Sequence, residues 1–163
     1  MADHDDKSRG TPPEAPRGMY PGRLDDKGRL KLPAPFQHFF NSLTEKKLFV
    51  TSLDRRIAQI YPIAVWRENE KFFETFRDDP QAAQDVAFNA NDLGADAEVD
   101  SQGRVLFNPE LRRELGLEDQ ELHVFSYKGR VQVLTEGIYQ ERRQRASKAA
   151  SANVELLERA GLK

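Results

Sequence analysis

The segment LDDKGRLKLPAPF, Leu24 to Phe36, returns as VDSQGRVLFNPEL, Val99 to Leu111, at an offset of 75 residues without a gap. Asp25, Gly28 and Arg29 recur as Asp100, Gly103 and Arg104. Leu24, Leu30, Leu32 and Phe36 keep their apolar character as Val99, Val105, Phe107 and Leu111. Further on, LFVTSLDRRIAQIYP (Leu48 to Pro62) corresponds to LHVFSYKGRVQVLT (Leu122 to Thr135), each reading as two strands around a polar turn. A pattern stated twice, in units too small to bury their own apolar faces, predicts two related halves sharing one core.

Each copy reads as strand, tight turn, strand, short helix, strand, turn, strand and helix. The reading divides the chain into a disordered arm at residues 1–16, a first repeat at 17–79, a helical connector at 80–94, a second repeat at 95–145 and a helical extension at 146–163. The arm is charged and rich in Pro, Gly and Ser, with little to offset its ordering entropy. Pro80 and Gly94 punctuate the connector. The second copy is expected to run into one long charged helix from about Gly137.

In the turn, Asp25 can accept hydrogen bonds from amides ahead of it and Gly28 can take the positive φ of a tight reversal. Along Arg29, Leu30, Lys31 and Leu32 the period of two sends the leucines to one face and the cations to the other. Two such hairpins, back to back, are expected to close a small barrel around the apolar faces. A basic β-ribbon fits the DNA major groove, where Arg can bond guanine bidentately and Lys can meet phosphate.

Arg29, Lys27, Lys31, Arg23, Arg17 and Arg104 are the candidate DNA contacts, and Asp25, Gly28, Asp100 and Gly103 the candidate turn formers. Arg17 through Lys31 holds five cations against Asp25 and Asp26, a surplus of three positive charges. Gly94 through Arg113 holds one more acid than base, so the first copy is expected to read DNA and the second chiefly to complete the barrel or the oligomer. The alternative is a turn-stabilising Asp with an Arg that pairs locally.

The 163 residues hold 25 Lys plus Arg against 27 Asp plus Glu, so a nucleic-acid surface must be local rather than a product of net charge. The absence of cysteine excludes disulfides and thiolate chemistry. Neither a secretory signal nor a membrane span is read, and the protein is expected to be cytoplasmic and nucleoid-associated. His4, His38 and His123 have no carboxylates at ligand spacing, and no catalytic trio or glycine-rich phosphate loop stands out. No enzyme activity, metal, cofactor, membrane or small-molecule substrate is therefore expected. Trp66, Phe72, Phe73 and Phe76 are read as packing. Arg142, Arg143, Arg145 and Lys148 form a basic helix face, and Val154, Leu156, Leu157 and Ala160 an amphipathic end that packs on itself or on a neighbouring subunit.

Arg17-Gly18, then Asp25-Asp26-Lys27-Gly28-Arg29 and Leu32-Pro33-Ala34, resembles the opening of the MraZ family. AEVDSQGRV (Ala97 to Val105) resembles that family's second motif, and YPIAVW (Tyr61 to Trp66) its Tyr-Pro followed by Trp, so the likeness covers about residues 17 to 145. It departs at Asn108, where a Pro is usual, and in the long arm and C-terminal extension.

The resemblance implies an α+β fold, the AbrB-like swapped-hairpin or double-split β-barrel with peripheral helices. It implies a transcriptional regulator of the division and cell-wall gene cluster, acting on double-stranded promoter repeats as a homo-oligomeric ring. DNA contact is implied through the Asp-x-x-x-Arg motifs, here Asp25 with Arg29. Asp100 with Arg104 stays open between that role and local pairing. The competing function is an oligomeric, antitoxin-like protein-interaction module with only incidental DNA binding.

Overall fold

The computed structural model describes residues 13–163. Most of the arm expected at residues 1–16 lies outside them. In chain order the elements are β1 (Tyr20–Gly22), β2 (Arg29–Lys31), α1 (Ala34–Asn41), β3 (Leu48–Thr51), β4 (Ala58–Pro62), α2 (Ile63–Thr75), α3 (Pro80–Leu93), β5 (Ala95–Ala97), β6 (Arg104–Leu106), α4 (Pro109–Leu115), β7 (Leu122–Tyr127), β8 (Arg130–Thr135), α5 (Glu136–Ser147) and α6 (Ala150–Ala160). The order β, β, α, β, β, α thus occurs twice, with α3 between the two occurrences.

The hairpins β3–β4 and β7–β8 pair within their own halves, whereas β1, β2, β5 and β6 pair across to the other half. A six-stranded antiparallel sheet runs β1-β7-β8-β4-β3-β5, so β1 adds to a strand of the second half and β5 to a strand of the first. A separate ribbon pairs β2 with β6, with Leu30 opposite Val105, Arg29 opposite Leu106 and Lys31 opposite Arg104. Leu30 and Val105 are related by the offset of 75, which puts a local twofold axis through that central pair. Gln59 faces Gln132 in the same way where β4 meets β8.

The ribbon covers one face of the sheet. Leu30, Leu32, Val105 and Phe107 meet Val50, Ile60, Val124, Val131 and Val133 in one core cluster, closed at its ends by Phe36 of α1 and Leu111 of α4. Helices α2 and α3 cover the other face through Trp66 and Ala90, which pack with Phe49, Tyr61 and Ile63. β3 and β4 are therefore buried on both faces, which accounts for their unbroken burial along LFVT and AQIYP. Of the aromatic stripe, Trp66 packs 4.7 Å from Phe49 and 5.0 Å from Tyr61, whereas Phe72 remains 55% exposed.

Two expectations need correction. The strands form an α+β fold of antiparallel sheets, but hydrogen bonds do not close them into a barrel: β1 and β5 are the sheet's edges, each with one neighbour. The chain leaves the sheet after Gly22 to enter the ribbon, and only an isolated bridge, Leu24 to Leu30, links that departing segment to β2. The long terminal helix is two helices, since Ala149 departs from helical geometry with φ −127 and ψ 35. Val154, Leu156 and Leu157 of α6, expected to pack on the end itself or on a neighbouring subunit, are not buried within this chain.

Local chemistry fixes the ends of α3 and α4. Asp79 caps α3 by accepting from the Ala82 amide at 3.1 Å, with Pro80 in the first turn. Asn108, at the departure from the family pattern, accepts from the Glu110 amide and donates to the Leu93 carbonyl at 3.2 Å. A proline there would support neither side-chain bond.

Gly28 and Gly103 have φ of +80 and +77, and a Cβ on either would strike a neighbouring side chain. Replacing Gly28 by Ala should cost ~1 to 3 kcal/mol of stability. Gly137 lies in the first turn of α5 with open space around it and no positive φ; Ala there should add ~0.5 to 1 kcal/mol. Urea denaturation of both variants checks the contrast, and equal midpoints would contradict it.

Candidate nucleic-acid interface

The ribbon's outward face is built from residues that alternate with its buried ones. Leu30 and Val105 point inward and are fully buried. Arg29 and Lys31 on β2, and Arg104 and Leu106 on β6, take the opposite side. Arg104 faces Lys31 directly and Arg29 is its diagonal neighbour, a separation on the order of 7–8 Å between such positions. The pairing thus collects on one surface three cations that stand as far as 75 residues apart in the chain.

Each Arg is held by the Asp four residues before it. Asp25 Oδ1 accepts from the backbone amides of Lys27 at 3.0 Å and Arg29 at 2.9 Å, and Gly28 N–H donates to the Asp25 carbonyl at 3.0 Å. Its other oxygen, Oδ2, accepts from Arg29 Nε at 2.8 Å. Asp100 does the same for Gln102, Gly103 and Arg104, with Arg104 Nε at 2.9 Å. The turn role and the local Arg pairing that the sequence left as an alternative are both present. Arg29 and Arg104 retain side-chain exposures of 26% and 23%.

That pairing engages Nε and leaves the guanidinium's outer edge. Among the described residues, Nη1 and Nη2 of Arg29 and of Arg104 make no hydrogen bond. A guanidinium fixed through Nε presents its two Nη groups as a planar fork, the shape that matches paired acceptors on a base edge or a phosphate. The amide bond from Arg29, above all, keeps the Asp25 carboxyl below its ordinary 3.8; partial burial opposes it, and the Arg29 side chain and Lys27 amide add to it. Asp100 is lowered in the same way, first by the Arg104 amide.

The other candidates divide. Lys27 sits exposed on the first turn. Lys31 reaches across the ribbon to the Gln102 carbonyl. Arg23 shares a shallow cleft with Lys31, Pro21, Gly22 and Glu121, beside the ribbon. Arg17 stands apart in the segment before β1, exposed and 3.4 Å from Glu14. Arg142, Arg143, Arg145 and Lys148 lie exposed on and just beyond α5. His123 does meet a carboxylate, since Nε2 is 2.5 Å from Glu136, and its ring stacks on Tyr139 at 3.7 Å.

Sequence reasoning passed over the residues behind the turns. Gln37 of α1 packs against Gly103 and Arg112 of α4 against Gly28, each helix backing the turn of the other half. The signal was available, because Gln37 and Arg112 are separated by the same 75 residues as the turns.

No family model matches the chain. It is similar to a protein of Acidobacterium capsulatum named transcriptional regulator MraZ, 34% identical over 117 residues, covering 72% of this chain and 80% of the relative. Proteins of the same name from Koribacter versatilis and Thermomicrobium roseum are 36% and 35% identical, covering 60% and 66% of this chain and 67% and 72% of the relatives.

The turn carboxylates give the site a pH dependence with a definite sign. Because Asp25 and Asp100 bind protons less readily when folded, their stabilisation is complete above the ordinary carboxylate range and is lost as pH falls through the lowered folded values. The double variant Asp25→Asn, Asp100→Asn keeps the side-chain oxygen but not the charge. Its thermal midpoint should fall less steeply than the wild type's from about pH 4 to about pH 2.5 and should track it from about pH 5 to 7. Parallel curves in calorimetry would show that the carboxylates are not held as described.

Proposed function

The chain belongs to the MraZ family, and from that premise we propose that it is a sequence-specific DNA-binding transcriptional regulator and not an enzyme. It presents the β2–β6 ribbon to the major groove. The observation that carries the reading is the register of that ribbon, with Arg29, Lys31 and Arg104 on one outward face. Lys31 lies directly opposite Arg104; Asp100 pairs with Arg104, but Lys31 has no carboxylate partner among the described residues, so this like-charge apposition is left short of one anion. DNA supplies that anion along its whole length.

In this reading Arg29 meets a base edge through its free Nη pair, and Asp25 holds it there. Arg104, turned toward the same surface, contributes beside it. Lys27, Lys31 and Arg23 meet phosphates along the flanks. Arg17, distant from the ribbon in the chain and paired with Glu14, is the weakest of the contacts.

The finer proposals follow the family. The segments 17–79 and 95–145 are two copies of one unit joined by the connector 80–94, and the strand exchange between them supports the swapped-hairpin, double-split arrangement of AbrB-like proteins. The protein acts in the cytoplasm, at the nucleoid, on tandem promoter repeats of the division and cell-wall gene cluster. It works as a homo-oligomer, in ring form, so that several weak contacts add by avidity. Val154, Leu156 and Leu157, left exposed along α6, support association between chains. No helix among the described residues is long and apolar enough to cross a membrane.

Replacing Arg29 with Ala should weaken binding to the protein's own upstream DNA by ~1 to 3 kcal/mol and blur the preference for that sequence over a scrambled duplex. Fluorescence anisotropy at one fixed salt concentration measures both, with far-ultraviolet circular dichroism to verify the fold. An unchanged affinity would remove Arg29 from the readout. Failure of the wild type to prefer its own upstream DNA would remove the regulator reading itself.

A further inference from the structure

The ribbon's two turns match in backbone and in their Asp-Arg pair, but what stands behind them differs in charge. Gly103 lies against the Gln37 carboxamide, a neutral group that donates to the Leu32 carbonyl at 2.7 Å. Gly28 lies against the Arg112 guanidinium. The Arg112 side chain is only 14% exposed, and its Nε is buried without a partner. Among the described residues its carboxylate contact is a single one, Nη1 to Glu118 at 3.3 Å, and Glu118 is itself 54% exposed. An exposed carboxylate at that distance is well screened by water and offsets the buried cation incompletely.

We propose that Arg112 makes the two turns unequal, so that the Asp25–Arg29 turn is the stronger anion-facing one and the Asp100–Arg104 turn, backed by Gln37, the weaker. The inference rests on the DNA-binding reading and adds to it a residue that touches no nucleic acid. Arg112 acts through the turn in two ways. It fills the space under Gly28, holding the backbone from which Arg29 projects. It also places a positive charge in a partly desolvated position, where attraction to a phosphate beyond the turn is screened less than between two surface groups. Lys27 on the first turn, matched by Gln102 on the second, reinforces the inequality, while the Lys31 ammonium reaches the Gln102 carbonyl and adds its charge to the second turn.

The structure supplies its own control, because each turn shows what the other would be with the backing exchanged. Full-length wild type, Arg112→Gln, Arg112→Lys and Gln37→Arg are titrated by anisotropy against a labelled duplex of the upstream DNA, across about 50 to 200 mM salt. Arg112→Gln should bind about threefold to tenfold more weakly at the lowest salt, with a shallower dependence of affinity on salt. Arg112→Lys should recover most of the loss, and Gln37→Arg should bind more tightly than wild type.

Wild-type affinity and salt slope in Arg112→Gln would overturn the proposal. So would a loss that Arg112→Lys does not recover, since packing alone would then explain it. Should Arg112→Gln fail to fold, Gln37→Arg decides, and no tightening there overturns the inference. Collapse of the underlying DNA reading looks different: wild type and Arg29→Ala would then bind equally weakly, and both proposals would fall together.

Discussion

Everything in this molecule depends on burying the inward face of a two-stranded ribbon whose strands come from different halves of the chain. Leu30 and Val105 are fully exposed to each other and to the sheet and fully closed to water. Burying a side chain of that size contributes on the order of 1.5–3 kcal/mol, and only the pairing of β2 with β6 brings both into position. The exchange of β1 onto β7 and of β5 onto β3 adds the same condition at the sheet's edges. Neither half can satisfy its strands alone, so cooperativity is built into the connectivity.

The pairing that closes the core also makes the surface. A strand's period of two means that whatever register buries Leu30 and Val105 must turn Arg29, Lys31 and Arg104 outward. Stability and recognition occupy opposite faces of the same six ribbon residues. A slip of one residue would expose the core and bury the cations together, so selection for the fold protects the geometry of the site. The Asp at each turn extends this coupling, because Asp25 both satisfies the reversing backbone and fixes Nε of Arg29. A flexible Arg would lose more rotamer entropy on engaging a base edge than one already held.

Much of this was legible in the sequence, and what was not has identifiable causes. The duplicated Asp-x-x-Gly-Arg pattern specified the two turns, the alternation specified which ribbon residues are buried, and Pro80 and Gly94 bounded the helix α3. An offset establishes which elements correspond but says nothing about which pair, so the strand exchange and the open sheet edges were hidden. Counting charges along the chain also assigned to the surroundings of Arg104 two acids that lie elsewhere. Asp96 belongs to β5 at the far edge of the large sheet, 3.9 Å from Lys47, and Glu110 contacts Arg113 at 3.0 Å, so neither belongs to the ribbon. The charged neighbours of Arg104 are Asp100, bonded to its Nε at 2.9 Å, and Lys31 and Arg29 across the ribbon.

The two halves therefore answer to different constraints at different depths. Inside, the local twofold axis makes equivalent positions share one cavity, and the pairs Leu30 with Val105, Leu32 with Phe107 and Phe36 with Leu111 have all stayed apolar and fully or nearly fully buried. Outside, nothing requires equality, and Lys27 corresponds in the repeat to Gln102, Lys31 to Leu106, and Gln37 to Arg112. A duplex approached by such a ribbon would meet symmetric backbone carrying asymmetric charge. The core needs two similar copies to fold at all, whereas a reader of sequence gains from copies that differ, and the division between buried and exposed faces lets one chain meet both demands.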